Sequence, residues 1–489
     1  VNNFLETIMC YSQNKVLKEK NYHEYSIETG FNNMVILSLF SIAYMCNEGF
    51  VAVNYDENYV YVLSYKKLRE KTLNNIEKIS KLKVHMTYIL YSEFCYCIQK
   101  YNTEIMGKNQ SHDLTRSIMR HIINSAIENK SSDVHFEGES SMCYVRFRMD
   151  GVLNCFFKFP LPVYDKILSI VKLESSMDIS KKLVPQDGNM NFNFKNQVYN
   201  MRTSTLPSMY REKLVIRILN PEKQINLQDL GFKNHAEVLK NLAFKSNGIF
   251  LVSGPTSSGK STTLKAIINL MNKKEKNIIT IEDPIEYKIS GITQVSLNEK
   301  ANMGFKEALK SVLRQDPDVI MIGEIRDEET AKIALRAAIT GHLVLSTIHT
   351  YDATSVITRL LDMNIEKYIL LDALSYIVSQ RLVRKICPHC REEYVNQYGD
   401  CYEFVEEGTK LYRGKGCEKC NFTGYMGRSI IYEILIMDDK CKQYISENKD
   451  LSGFRKFCID NGFITLQSMC KQYIKSGITS LEEVYKVVL

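Results

Sequence analysis

The segment Gly254-Pro255-Thr256-Ser257-Ser258-Gly259-Lys260-Ser261, running on into Thr262, is a glycine-spaced loop that ends in a lysine and a hydroxyl. Glycines at these positions let backbone N–H groups close around phosphate oxygens, and a helix that starts at the loop adds the positive end of its dipole. Lys260 would reach the terminal phosphates, and the Ser261 hydroxyl would hold Mg²⁺. The apolar run 248–253 before the loop reads as a strand, and the pattern over 262–271 reads as a helix, which is the context the motif needs. The loop predicts a nucleoside triphosphate site.

Three later segments carry groups that could complete such a site. Thr280-Ile-Glu-Asp-Pro-Ile-Glu286 places acidic residues after an apolar strand, and Asp318-Val-Ile-Met-Ile-Gly-Glu324 ends a second strand in a carboxylate. In a parallel sheet the carboxyl ends of neighbouring strands converge on one crevice. A carboxylate there can hold the hydration shell of Mg²⁺ or polarise an attacking water. Thr340-Gly-His-Leu-Val-Leu-Ser-Thr-Ile-His349 is a strand with a histidine at each end, and His349 could hydrogen-bond a γ-phosphate. Each segment has a plainer reading. Asp283-Pro284 is good turn chemistry, so Glu282 and Glu286 could be solvated turn residues, and a histidine at a strand end is usually structural.

Cys387-Pro-His-Cys390 and Cys417-Glu-Lys-Cys420 form two C-x-x-C knuckles, with Gly414 and Gly416 close to the second. Four thiolates in this arrangement suit one tetrahedral Zn²⁺ in a closed, structural site; His389 reads as a bystander. The chain has 14 cysteines, and Cys46, Cys143, Cys155 and Cys458 lie in apolar contexts and read as small buried hydrophobes.

These groups must be held by several domains, since 489 residues suffice for two to four. The boundaries read as a small α/β module over 1–105, a second unit over 106–230, a linker over 231–240 and an α/β domain over 241–383. A cysteine-bearing insert follows over 384–428, and a helical region over 429–489. Hydrophobic content of 45% and charged content of 24% are ordinary for a globular protein, and the net charge of +7 is scattered, which does not point to nucleic acid. No apolar stretch approaches the roughly 20 residues of a membrane helix, and the opening residues lack a signal peptide's basic and apolar regions. The expected location is cytoplasmic, with membrane contact only through partners.

Taken together and in order, the phosphate loop, the acidic box 279–287, Gly323-Glu324-Ile-Arg-Asp, the histidine box, Arg202-Thr-Ser with Leu206-Pro207, Pro185-Gln-Asp-Gly188 and Ser379-Gln-Arg-Leu-Val-Arg384 resemble the secretion-ATPase superfamily. These are the hexameric motors of type II secretion and type IV pilus assembly, and the resemblance covers roughly residues 110–489. It implies a multidomain α/β P-loop (RecA-like) ATPase, preceded by a PAS-like α+β domain and carrying a tetracysteine zinc insert. It further implies ATP, Mg²⁺ and Zn²⁺ as cofactors, a homo-hexamer, and an inner-membrane platform protein as partner. By the same resemblance Glu286 is the water activator, Glu324 the carboxylate of the second strand and His349 the γ-phosphate sensor. Arg202, Arg217 and Arg314 match arginines near the nucleotide. The zinc insert is missing from retraction motors of this superfamily, which points to an extension motor, with a DNA-uptake pseudopilus motor or a nucleic-acid translocase as the alternatives. Lys310 stands where relatives often have arginine. Arg211 stands where many have glycine, so strain of about 1 kcal/mol is expected if its turn needs positive φ.

Overall fold

A computed structural model of the protein describes residues 30–488 apart from 90–93, 95–96, 99–100, 102–113, 220–226, 233–234, 272, 286–287, 299–301, 398–404 and 448–449. The chain divides into two compact units, Val1–Pro221 and Glu222–Leu489.

In the first unit, helices α1 (Gly30–Leu39) and α2 (Ile42–Glu48) precede strands β1 (Phe50–Tyr55) and β2 (Tyr59–Ser64). Ser41 caps α2 by accepting from the Tyr44 N–H, and Gly49 ends it in the left-handed conformation. β2 pairs in parallel with β3 (Lys83–Tyr88) across α3 (Glu70–Ser80). Then come α4 (Leu114–Glu128) and an antiparallel sheet of β4 (Asp133–Gly138), β5 (Met142–Met149), β6 (Val152–Pro160), β7 (Gln186–Phe194), β8 (Gln197–Leu206) and β9 (Lys213–Leu219). Helix α5 (Leu161–Glu174) is inserted between β6 and β7, and the strand order is β6-β5-β4-β9-β8-β7. One apolar core runs through both sheets, from Val35, Phe50 and Val60 to Ile118, Phe136 and Tyr164. The reading at 1–105 and 106–230 therefore falls across a shared core.

Hairpin turns explain what was legible here. Asp150 and Gly151 both have positive φ, as a two-residue turn demands, and the Asp-Gly pair announces it. Lys195 and Asn196 make the same kind of turn between β7 and β8 without a glycine, so the sequence reads there as one long strand region. Arg211 is not among the residues with positive φ. Its guanidinium instead binds Asp165 at 2.9 Å, and the expected strain is absent. Of the cysteines read as buried, Cys143 and Cys458 are; Cys46 and Cys155 are exposed. Cys155 lies on β6, the outer strand of its sheet, where one face is wet.

In the second unit, helix α6 (Ala236–Ala243) leads to β10 (Gly248–Ser253) and α7 (Lys260–Leu270). β11 (Ile278–Glu282), β12 (Thr293–Ser296), α8 (Phe305–Val312), β13 (Val319–Ile322), α9 (Glu328–Ile339) and β14 (Leu343–Ile348) follow. α10 (Ser355–Asp362), α11 (Lys367–Ala373) and the long β15 (Leu374–Ile386) come next. After β16 (Arg391–Val395) and β17 (Lys410–Gly414) the chain returns as β18 (Tyr425–Ile436), and α12 (Asp439–Glu447), α13 (Phe454–Asp460), α14 (Leu466–Lys475) and α15 (Leu481–Val488) end it.

Among the described residues the main sheet has the order β12-β11-β13-β14-β10-β15-β18. Its pairings are parallel except the last, β15 with β18. β10, β13 and β14 are buried at every position, as strands covered on both faces must be. Alternation sorts their side chains, with Ile249 and Leu251 packing on one side and Phe250 and Val252 on the other.

Two expectations are corrected here. Within the stretch expected to be a linker, Phe232 is fully buried, and Leu227 just before it is buried in the same core under the sheet. Gly231 does mark a turn, at positive φ, but the turn is packed. The region expected to be helical from 429 opens instead with β18, whose β-branched run pairs with β15 over most of its length. β12, β15 and β18 escaped the sequence reading because polar residues interrupt their apolar runs.

The carboxyl end of β15 anchors the chain's last helix. Arg384 pairs with the buried Glu483 of α15 at 2.6 Å, and its guanidinium lies 4.0 Å from the centre of the Tyr425 ring. Removing one partner of a pair this well enclosed leaves an uncompensated charge. Arg384→Ala is expected to destabilise the second unit by roughly 3 kcal/mol. Urea denaturation, with limited proteolysis to detect release of α15, measures it.

Candidate active site

β10 delivers the chain to the phosphate loop at Gly254, whose φ is +143°, and a Cβ there would lie 2.5 Å from the Gln380 carbonyl oxygen. Gly259, at φ +88°, turns the chain into α7, whose first residue is Lys260. The Lys260 ammonium donates to the carbonyls of Gly254 at 2.8 Å and Pro255 at 3.0 Å, so it lies across the loop it serves. Burial pushes Lys260 down to about 8; the Glu324 charge opposes that and the Arg381 charge adds to it. Ser261 is exposed, and Thr262 is half-buried beside it.

The loop is also held from β15. The buried Gln380 amide donates to the Ser258 carbonyl at 2.8 Å and accepts from the Thr263 hydroxyl at 2.9 Å, tying the loop to the first turn of α7. Arg381, also buried, donates to the Tyr351 carbonyl at 2.6 Å in the turn after β14. The sequence alone assigns no role to Gln380 or Arg381. A usable signal was present, because glutamine and arginine inside an apolar strand cannot stay unpaired.

The carboxyl ends of β13 and β14 bring two of the expected groups together. Glu324 follows Gly323, whose N–H is bound by the Ile281 carbonyl at 2.8 Å, and its carboxylate meets the His349 Nε2 at 3.4 Å. Arg326 pairs with the other oxygen of Glu324. Burial alone would raise the Glu324 carboxyl, but Arg326, His349 and Lys260 outweigh it and hold it below the usual range. Burial and the Lys260 charge lower His349 against the opposing pull of Glu324, which favours its neutral, hydrogen-bonding form. The other histidine of its box, His342, binds the Ala337 carbonyl at 3.0 Å at the end of α9 and is structural.

Glu282 is neither solvated nor part of this group. It is buried, pairs with Lys265 of α7 at 2.8 Å, and accepts from the Thr280 hydroxyl and the Gln294 amide. Glu286, expected to activate water, lies outside the described residues. Arg314 is exposed and binds the Lys310 carbonyl and the Ser311 hydroxyl at the end of α8, so it is not brought to the loop. Arg202 and Arg217 face each other across β8 and β9 in the first unit. Asp133, next in the same row, accepts from the Arg217 Nε at 2.8 Å.

The four cysteines converge as their spacing predicts. Their sulfur atoms all lie within 4.8 Å of one another, with Cys387–Cys417 and Cys390–Cys420 at 3.9 Å and Cys417–Cys420 at 3.8 Å. A tetrahedron with zinc–sulfur bonds of about 2.3 Å has edges of about 3.8 Å, so the donor set fits Zn²⁺. The knuckles can close this tightly because a Cβ on Gly414 would lie 2.0 Å from the Gly424 carbonyl oxygen. N–H groups of Gly416, Cys417 and Gly424 point at the Cys390 and Cys420 sulfurs, which suits thiolates.

A phosphate loop on a buried parallel strand, faced by a carboxylate and a histidine from β13 and β14, defines a P-loop ATPase of RecA-like architecture. Residues 108–486 match the family described as Type II/IV secretion system protein, and the chain belongs to that family. It is 42% identical over 369 residues to type II secretion system protein E of Dickeya dadantii, spanning 75% of this chain and 74% of that protein. It is 41% identical over 377 residues to the type IV pilus assembly ATPase PilB of Thermus thermophilus, spanning 76% of this chain and 42% of that one. Among solved structures it is similar to the pilus retraction motor PilT with bound ADP, at 28% identity and a TM-score of 0.51, covering 75% of this chain and 96% of that one. The Legionella pneumophila ATPase DotB shares the fold, at 18% identity and a TM-score of 0.57, covering 78% and 97%. The chain is a secretion ATPase, and among the described residues no helix is long and apolar enough to cross a membrane.

Two outcomes follow from this geometry. Lys265→Met leaves the Glu282 charge buried alone and is expected to cost roughly 3–5 kcal/mol in urea denaturation, most of it recovered when Glu282→Gln is added. Because Glu282 is structural, the double variant should keep its turnover. The cysteine cluster should carry about one zinc per chain by elemental analysis. Cys420→Ala should lose that zinc and lower the melting temperature while nucleotide affinity stays unchanged.

Proposed function

We propose that the protein is a cytoplasmic, hexameric motor that hydrolyses ATP to extend a type IV pilus or a type II secretion pseudopilus by way of an inner-membrane platform protein. The observation that carries this reading is the convergence of Lys260, Glu324 and His349 at one carboxyl edge of the parallel sheet. Phosphoryl transfer needs positioning and charge stabilisation more than covalent chemistry, and these residues supply both.

In this reading the loop N–H groups and Lys260 bind the β- and γ-phosphates, and Ser261 with Glu324 holds Mg²⁺ and its water shell. When bound there, Mg²⁺ would supply charge neutralisation at the phosphates. Glu286 accepts the proton of the attacking water. His349, uncharged, hydrogen-bonds the γ-phosphate and reports its loss. Arg202 and Arg217 stabilise charge on the transferring group, and Asp133 holds Arg217 by its Nε at 2.8 Å. The reading gives no role to Arg314. Cys387, Cys390, Cys417 and Cys420 would hold Zn²⁺ in a structural site, and a four-cysteine insert of this kind favours extension over retraction.

Steady-state ATP hydrolysis against protein concentration, with the mass determined at each point, tests the reading. Turnover should rise as a ring of six forms and should ignore duplex DNA. Lys260→Ala and Glu324→Gln should each lower it on the order of 100-fold or more. Stimulation by DNA would replace the motor with a nucleic-acid translocase. An ATPase that stays monomeric at full activity would remove the ring.

A further inference from the structure

The turn over 349–354 joins β14 to α10 and begins with the histidine that meets Glu324. Side chains from three other elements hold it. The Tyr351 carbonyl accepts from Arg381 at 2.6 Å and from the Ser379 hydroxyl at 3.4 Å, both on β15. The Ala353 N–H donates to Glu433 of β18 at 2.7 Å. Asp352 braces the start of α10, accepting from the Ser355 N–H at 2.7 Å and from the Thr354 and Ser355 hydroxyls at 2.8 Å. Its second oxygen lies 3.5 Å from Arg455 of α13.

Glu433 and Arg455 close the arrangement. The Glu433 side chain is wholly buried, and such a charge persists only when it is paired and hydrogen-bonded on all sides. Besides the Ala353 N–H, it accepts from the Leu466 N–H at 2.9 Å, where α14 begins, and from both terminal nitrogens of Arg455 at 3.4 and 3.3 Å. Arg455 also reaches the Thr354 hydroxyl at 3.4 Å. The carboxylate and guanidinium therefore bind the starts of two helices and the turn that carries His349 as one unit. A network whose only purpose was to dock α13 and α14 on the sheet could end at Leu466; this one continues into the turn.

We propose that Glu433 and Arg455 are positioning residues that act through His349, so that the seating of α13 and α14 sets how well the site distinguishes a nucleoside triphosphate from a diphosphate. This rests on His349 reading the γ-phosphate. Helix α13 thereby becomes a place from which the nucleotide site can be tuned without touching nucleotide.

Calorimetric affinities of the full chain for ADP and for a non-hydrolysable ATP analogue test it. The variants are His349→Ala, Arg455→Met, and the double substitution Glu433→Gln with Arg455→Met. The double avoids leaving an orphaned charge and decides the matter if Arg455→Met fails to fold. His349→Ala should lower the preference for the triphosphate. Both network variants should lower it to the same extent, on the order of fivefold to tenfold, with ADP affinity unchanged. Adding His349→Ala to the double should bring no further loss, which a merely structural role would not produce. If His349→Ala loses the preference and the network variants keep it, the positioning role is overturned and the sensor stands. If ADP affinity falls in parallel, the network is structural only and the proposal fails. If His349→Ala keeps the wild-type preference, the sensor reading fails, and the proposal falls with it.

Discussion

The interaction on which the second unit depends is the side-chain amide of Gln380, held inside a strand that has no solvent to offer it. A buried amide must find partners, and here they are the Ser258 carbonyl and the Thr263 hydroxyl. Its neighbours on the strand, Ser379 and Arg381, point to the opposite face by the pleat and find the Tyr351 carbonyl instead. One strand thus refers the phosphate loop and the turn after His349 to a common frame. Because β15 outruns β10, these residues lie beside the loop itself and not below it, with Ser379 in register with Ser253. The antiparallel partner then sets what stands behind, Ser379 facing Glu433.

Helix α7 carries two lysines that illustrate how solvation divides labour. Lys265 and Glu282 are both buried and ion-paired, and Glu282 also accepts from fixed donors, which fastens the helix to β11. Lys260, one turn and a half earlier, faces loop carbonyls that a phosphate can replace, and the carboxylate whose charge acts on it, Glu324, is partly open to solvent. A charge that is fully paired has nothing left to offer a ligand, whereas one held by weak acceptors does.

The cysteine module is continuous with this frame. β15 passes through Gln380 and Arg381 at the nucleotide edge, then Arg384 against α15, and then reaches Cys387 just after its last residue. Gly424 precedes β18, and its N–H points at a cluster sulfur while its carbonyl accepts from the Cys387 N–H at 2.9 Å. Zinc on these four cysteines would join the two strands of the sheet's edge where they would otherwise fray.

The amino-acid order alone determined the parts whose chemistry is local. The phosphate loop, the carboxylate that ends β13, the paired knuckles and the Asp150-Gly151 turn each declare themselves within a few residues, because backbone conformation and ligand type there admit few residue types. The same holds for the apolar runs of β10, β13 and β14, where burial on both faces leaves an unbroken pattern. Tertiary structure alone decided which acid is locked in a buried ion pair and which stands beside His349. Glu282 and Glu324 both follow apolar strands, and only the position of Lys265 across the sheet separates them. It also decided that Gln380 and Arg381 are supports, that Arg314 folds back on its own helix, and that β18 returns to the sheet from a region that reads as a helical tail. The reason is physical. A polar side chain inside a strand has a definite role only once its partners are placed, and for Gln380 and Glu433 those partners lie 22 to more than 100 residues away in the chain.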